Sequence, residues 1–330
     1  MNELENSHLE EEHRIDFAAF HEKIEAIKSG LSKAVIGQHQ LVEQVLIALF
    51  ANGHVLIEGV PGVAKTLLAK SVSRSVNTRF ARIQFTPDLM PSDILGTSIF
   101  NQKTQDFELR KGPIYANLVL IDEINRAPAK TQAALFEVME ERQVSLDGQT
   151  IKMEEPFMVI ATQNPVEHEG TYRLPEAQLD RFMMKIVADY PQVDEELEVL
   201  KSHHNYGQQE LYKQVEAVIN PEEIAKFKAQ IKGVKVEDHM LRYINEIVRR
   251  TREYPGIFLG ASPRAGIAML AASKVLAAMH DRDFVTPDDI KSVALPVMRH
   301  RILLTPEREM EGSNPDDLIR EIIGQVEVPR

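Results

Sequence analysis

His54-Val55-Leu56-Ile57-Glu58-Gly59-Val60-Pro61-Gly62-Val63-Ala64-Lys65-Thr66 is the stretch on which the fold turns. Its first five residues have the composition of a short buried strand. A turn rich in glycine and proline comes at once, and helical character resumes over residues 66–75. Strand, turn and helix, with Lys-Thr at the exit, match the phosphate-loop pattern G-x-x-x-x-G-K-[ST] at every position but one. Ala64 stands where the last glycine is expected. A methyl group is the smallest possible intrusion, acceptable if that position has negative φ, and Gly62 adds a permissive position. In such a loop successive backbone N–H groups (Pro61 has none) curl around a phosphate, helped by the potential of the helix N-terminus. Lys65 places a point charge against the β and γ oxygens, and the Thr66 hydroxyl is a ligand for Mg²⁺. Leu67, just beyond, is counted with the same site. A glycine-rich turn in a sheet that binds no nucleotide is the competing reading; the strand before, the helix after and the Lys-Thr pair oppose it.

Downstream, Leu118-Val119-Leu120-Ile121 ends in Asp122-Glu123. A buried parallel strand that stops in two carboxylates delivers them to the carboxyl edge of the sheet, where ligands sit in open α/β folds. Asp122 suits a role in holding Mg²⁺ and Glu123 one in polarising a water; as an alternative, Asp122 could simply be the N-cap of a helix. Met158–Thr162 is a further apolar run ending in Gln163-Asn164. Asn164 would lie between Glu123 and the γ-phosphate, although Asn-Pro also initiates turns. With residues 80–85 and a weaker run at 184–187, strands alternate with helices from residue 53 to 187. That pattern predicts a doubly wound, five-stranded parallel sheet of α/β class.

Working outward, residues 1–15 are expected to be a disordered acidic tail, followed by helices over about residues 16–29 and 38–52. After Pro191 only helical patterns occur, at 193–204, 221–232, 236–252, 262–280 and 287–300. The expected division is therefore a nucleotide-binding domain over 16–190 and a smaller all-α lid over 191–330. Asp-Gly at 147–148 between β-prone flanks signals a hairpin, and residues 94–113 suggest another. The 330 residues carry a net charge of −12 and no basic block, which argues against a nucleic-acid backbone as main partner. Zero cysteines exclude disulfides, thiolate catalysis and Cys-based zinc sites. No run approaches the ~18 apolar residues of a membrane span, and the N-terminus is no secretory signal, so a cytoplasmic protein is expected. His203-His204 lacks helix-face spacing for a metal and is read as surface.

Taken in order, these segments resemble the AAA+ superfamily, and within it the MoxR group. The resemblance rests on Val35-Ile36-Gly37-Gln38, the loop at 59–66, Asp122-Glu123-Ile124-Asn125-Arg126-Ala127 and Ala161-Thr162-Gln163-Asn164-Pro165. Two more segments carry it, Leu174-Pro175-Glu176-Ala177-Gln178-Leu179-Asp180-Arg181-Phe182 and Gly260-Ala261-Ser262-Pro263-Arg264-Ala265. It spans about residues 30–305. The family commonly tolerates Ala before the loop lysine. The resemblance implies that Val35 and Ile36 contact adenine and that Asn164 is sensor 1. It implies that Arg264 is sensor 2, touching the γ-phosphate from the lid, and that Arg181 is an arginine finger acting on the neighbouring subunit's ATP. For Arg181 a local salt bridge with Asp180 is the alternative, for Arg264 a charge contact between domains, and for Arg126 either a neighbour contact or a solvated surface position.

The resemblance further implies a hexameric ring that hydrolyses Mg·ATP to remodel or activate a protein client, as in metal or cofactor insertion. The family often works with a von Willebrand A domain protein, and the two hairpins would face the pore or the client. No D-x-S-x-S motif is present, so such a domain would lie on another polypeptide. The sequence lacks the N-K-x-D of a GTPase and the arginine-rich lid of a small-molecule kinase. A nucleic-acid-stimulated AAA+ motor, of restriction or helicase-loader type, shares much of the core but is opposed by the acidic balance. A scaffold that binds ATP without hydrolysing it would be indifferent to Glu123→Gln.

Overall fold

The computed structural model describes residues 15–165, 174–206 and 211–329, so the acidic tail expected over residues 1–15 lies, except for Ile15, outside the described residues. Helices α1 (Ala18–Ser32) and α2 (His39–Phe50) lead into β1 (Val55–Gly59) and α3 (Lys65–Ser75). Next come β2 (Phe80–Gln84), the short α4 (Pro91–Leu95) and a hairpin of β3 (Gly96–Asn101) and β4 (Asp106–Lys111). They are followed by β5 (Leu118–Asp122), α5 (Ala129–Glu141), a second hairpin of β6 (Gln143–Leu146) and β7 (Gln149–Lys152), β8 (Met158–Gln163), α6 (Glu176–Leu179) and β9 (Met184–Ala188). Five of the strands form one parallel sheet in the order β2-β5-β8-β1-β9, the doubly wound architecture expected.

Both faces of this sheet are covered. Along β5, Leu118 and Leu120 enter the core shared with α1, α2 and α3, while Val119 and Ile121 enter the core shared with α5. Alternate residues of one strand point to opposite faces, so double burial requires apolar residues at every position, and this is why the inner strands read as unbroken runs. In the second hairpin Asp147 and Gly148 have φ of 49° and 76°, the pair of positive values that a two-residue I′ turn needs. Ser98 of the first hairpin donates a hydrogen bond to Asp147 of the second, tying the two together.

Beyond β9 the chain is mainly helical: α7 (Val193–Tyr206), α8 (Pro221–Ile231), α9 (Asp238–Glu253), α10 (Pro263–Met279), α11 (Pro287–Met298), α12 (Pro306–Met310) and α13 (Pro315–Gln325). Their starts are written in the sequence. Asn220 with Glu223, Thr286 with Asp289 and Asn314 with Asp317 form capping boxes, each followed by proline at the first helical position. The sequence suggested no strand here, yet β10 (Ile257–Leu259) and β11 (Leu303–Leu304) pair antiparallel. Segments of three and two residues are too short to show an alternation.

Candidate functional site

The phosphate loop leaves the carboxyl end of β1 and enters α3, and two strand neighbours bring the other candidates alongside. With β8 next to β1 and β5 next to β8, Asn164 and Asp122-Glu123 emerge within about 10 Å of the loop, two strand spacings. Gly59 is fixed by close approach, since a Cβ there would meet the Ala188 carbonyl at 2.7 Å. Gly62 has φ +93°. Ala64 corrects the expectation of negative φ: it sits at φ 58°, ψ 21°, as the N-cap of α3. A left-handed alanine costs roughly 1–2 kcal/mol, which the surrounding loop tolerates because the turn into the helix dictates the geometry. Lys65 Nζ folds back to donate to the carbonyls of Gly59 and Val60, the latter at 3.3 Å.

A cavity of about 380 Å³ opens beside the loop, lined among others by Ile36, Pro61, Gly62, Val63, Ala64 and Leu67. Its far wall comes from Tyr190 and from Leu200 and His203 of α7. His203, read from the sequence as surface only, thus belongs to this wall; within an amphipathic helix no local signal marks it. Val35 does not line the cavity. Its amide continues the helical hydrogen bonding of α1 to the Leu31 carbonyl, which turns the side chain into the core at 1% exposure.

The two acids are held by partners that sequence reading missed. Asp122 is buried; Arg82 Nε lies 2.6 Å from its Oδ2, and Thr162 Oγ1 donates to its Oδ1 at 3.1 Å. Thr162 Oγ1 also accepts the Glu123 amide at 3.1 Å. Glu123 itself is left-handed, φ 57°. Its Oε2 accepts both Gln84 Nε2 at 2.8 Å and Arg126 Nη1 at 2.9 Å. Arg126, with its side chain 42% exposed, is engaged with the acid three residues before it. Asn164 is buried between the strands that carry these groups.

These side chains fit a magnesium–nucleotide. Magnesium in phosphate sites takes one or two carboxylates or hydroxyls and fills its other positions with phosphate and water. Asp122 and the Thr66 hydroxyl are such a donor set, and among the described residues no cluster of three metal-ligating side chains suggests a dedicated metal cage.

Arg181 and Arg264 lie elsewhere. Met183, two residues after Arg181, bonds the His54 carbonyl in front of β1, and α5 runs back to the same amino edge of the sheet. There Glu140 receives Arg181 Nη1 at 2.5 Å on Oε2 and Arg264 Nη2 at 2.9 Å on Oε1. Five strand residues, about 16 Å, separate that edge from the phosphate loop. Arg264, expected to touch a γ-phosphate from the lid, pairs here with Glu140, and the helix it opens docks on the far edge of its own sheet. Nor does Arg181 pair with Asp180, which is clamped by Arg301 at 2.6 Å. Arg301 also donates to the Phe182 and Met183 carbonyls at 2.7 and 3.0 Å, and neighbouring His300 Nε2 bonds Phe182 O at 3.0 Å. The lid thus grips the segment that bears Arg181.

Comparison with known proteins matches both the sheet-bearing region and the helical region to known families. The model of the ATPase family associated with various cellular activities (AAA) matches residues 54–184, and that of the AAA lid domain matches residues 249–322. Protein YeaC of Bacillus subtilis, itself uncharacterized, is 46% identical over 91% of this chain and 92% of its own length. Chaperone MoxR1 of Mycobacterium tuberculosis is 42% identical over 91% of this chain and 81% of its own. A crystal structure of a candidate ATPase from Cytophaga hutchinsonii superposes with a TM-score of 0.88 at 41% identity, covering 95% of this chain and 97% of the other. The chain belongs to the MoxR family of AAA ATPases. As a MoxR-family ATPase it binds a nucleotide and hydrolyses ATP. Among its described residues no helix is long and apolar enough to cross a membrane.

Proposed function

We propose that the chain hydrolyses Mg·ATP in a hexameric ring, each nucleotide held by residues 59–67 of one subunit and completed by Arg181 and Arg264 of the next. The nucleotide-binding domain would comprise residues 16–190 and the lid 191–330. The observation that carries this reading is the placement of both arginines on the sheet edge opposite the phosphate loop. A guanidinium there cannot serve its own chain's phosphates, but in a head-to-tail ring it faces the loop of a neighbour.

Within one site, Lys65 neutralises β/γ-phosphate charge, and Thr66 and Asp122 would hold Mg²⁺. Bound Mg²⁺ supplies positive charge to the phosphate oxygens. Glu123 takes a proton from the attacking water onto Oε1, the oxygen left over once Gln84 and Arg126 have fixed Oε2. Asn164 orients that water, and the neighbour's arginines stabilise charge on the transferring group. Ile36, Tyr190 and His203 bracket the base.

The work done is remodelling or activation of a protein client, such as metal or cofactor insertion, with a von Willebrand A domain protein as partner. Support comes from the relative named a chaperone and from the first hairpin, where Phe100 and Phe107 meet edge-on at 5.3 Å while half or more exposed. An exposed aromatic pair marks a contact surface.

Arg181→Ala tests the reading. Turnover should fall by ~10³ or more, with ADP affinity within twofold of the parent chain. Retained turnover would remove the shared-site arrangement.

A further inference from the structure

Glu140 occupies a position that helix electrostatics disfavours. It lies in the last turn of α5, where the macrodipole is negative, beside Glu141 and with no basic residue of that turn to offset it. Two guanidiniums from elsewhere compensate. Arg181 arrives from the segment before β9 and Arg264 from the first turn of the lid helix α10, and each takes a different oxygen of the one carboxylate. Arg181 Nη1 is held a second time by the Phe136 carbonyl at 3.0 Å. The group is not sealed in: the Arg181 and Arg264 side chains are 32% and 55% exposed, and the surrounding cleft is shared with Asp180, Ile267 and Arg301.

Two cations left alone at this distance repel and swing apart in solvent. A carboxylate bridging them fixes their spacing and direction while one nitrogen of each is engaged. We propose that Glu140 is a positioning residue for the trans arginines: it holds Arg181 and Arg264 as a preset pair facing the neighbouring subunit's nucleotide. This rests on the reading that both arginines act across the subunit boundary. Preorganised charge needs no rearrangement when the transition state forms, so losing the bridge should lower kcat more than it weakens substrate binding. Glu140 is also one of several ties between lid and core. Arg301, His300 and Ser262 make others, so the fold should survive its removal.

The experiment uses mixed assemblies of the full chain. Wild-type protein is combined with an excess of a hydrolysis-dead dopant, Glu123→Gln, which retains Lys65 and Thr66 for nucleotide binding. Two further dopants carry Glu123→Gln with either Glu140→Ala or Arg181→Ala. In these mixtures turnover comes only from wild-type sites. Both double dopants should depress turnover at least fivefold more than Glu123→Gln alone, because wild-type nucleotides then face disarrayed or missing arginines. As a homogeneous assembly, Glu140→Ala should lose at least tenfold in kcat with KM for ATP within threefold, and Glu140→Asp should recover part of that loss. If only the Arg181→Ala dopant depresses turnover, the arginines act in trans but Glu140 does not position them, and the proposal falls. If neither does, the shared-site reading falls and takes the proposal with it. Should Glu140→Ala melt well below the parent, Glu140→Gln, which keeps an acceptor without the charge, replaces it with the same outcomes.

Discussion

Ala64 occupies a left-handed backbone at the second of the two places where the phosphate-loop pattern calls for glycine. Its methyl costs roughly 1–2 kcal/mol in that conformation. Glycine would remove this cost but gain about 0.4–1 kcal/mol of unfolded-chain freedom. The balance favours Ala64→Gly by about 0.5–1 kcal/mol, so its melting temperature without nucleotide should rise by a degree or more; a fall would mean that the methyl packs usefully in the loop. Two histidines set a pH response. His54 is fully buried: its Nδ1 accepts the Val159 amide at 2.9 Å, while Nε2 bonds the Met139 carbonyl at 3.1 Å. Burial pushes its pKa down to about 3. His300 is likewise held well below its ordinary value by burial, with Nδ1 buried and without a partner among the described residues. In the unfolded chain both titrate near 6.5. Below that pH the unfolded state binds more protons than the folded one, so stability is full above about 7 and declines as pH falls towards the folded values. From pH 7.5 to 5.5 the pair should remove about 3 kcal/mol. Denaturant melts at both pH values measure this, and His54→Asn, whose Oδ1 can replace Nδ1 as acceptor, should halve the slope. The chemical residues of the phosphate site were legible because a local motif carries them. Arg82, Gln84 and Thr162 were not, because each earns its role only by facing an acid from another strand.

At the scale of elements, the joint between lid and core depends on the turn after α11. Arg301 is nearly fully buried, and it satisfies Asp180 together with carbonyls on both sides of Phe182. Truncating one partner of such a pair leaves the other charge desolvated, at a cost of about 3–5 kcal/mol. Arg301→Met should therefore lower the unfolding midpoint markedly. It should also slow hydrolysis at temperatures where the chain is still folded, because Arg181 sits one residue from Asp180. Unchanged turnover in folded Arg301→Met would show that the clamp holds the lid without steering the arginine. Helices and hairpins were visible in advance wherever a cap or an Asp-Gly turn fixes a boundary locally. The landing place of α10 was not visible. Residue spacing records that Ser262-Pro263-Arg264 opens a helix, but which sheet edge that helix meets is decided by α5, the clamp at Arg301 and the core they share.

For the molecule as a whole, the proposed ring would split each site between the edges of two copies and make activity a property of assembly. Turnover per subunit should then rise with protein concentration and level off once rings are complete. The same proposal gives a role to an exposed apolar surface. Helix α7 borders the nucleotide cavity, and its Val193, Leu197 and Leu200 are 82%, 51% and 67% exposed. Spaced four and three residues apart, they form one stripe, continued by Tyr190 at 65% exposure. In the proposed ring this apolar stripe, beside the cavity at the phosphate loop, would form part of the contact between copies. Leu197 does not line the cavity, so Leu197→Asp should leave ADP affinity intact while removing apolar burial from the contact. Losing a buried leucine side chain is worth about 1.5–3 kcal/mol, which corresponds to ~10–100-fold in association. The concentration giving half-maximal turnover should shift upward by that factor, and sedimentation should show the same displacement. If Leu197→Asp assembles and turns over at the parental concentration, the ring closes through a different face and the stripe on α7 serves another partner.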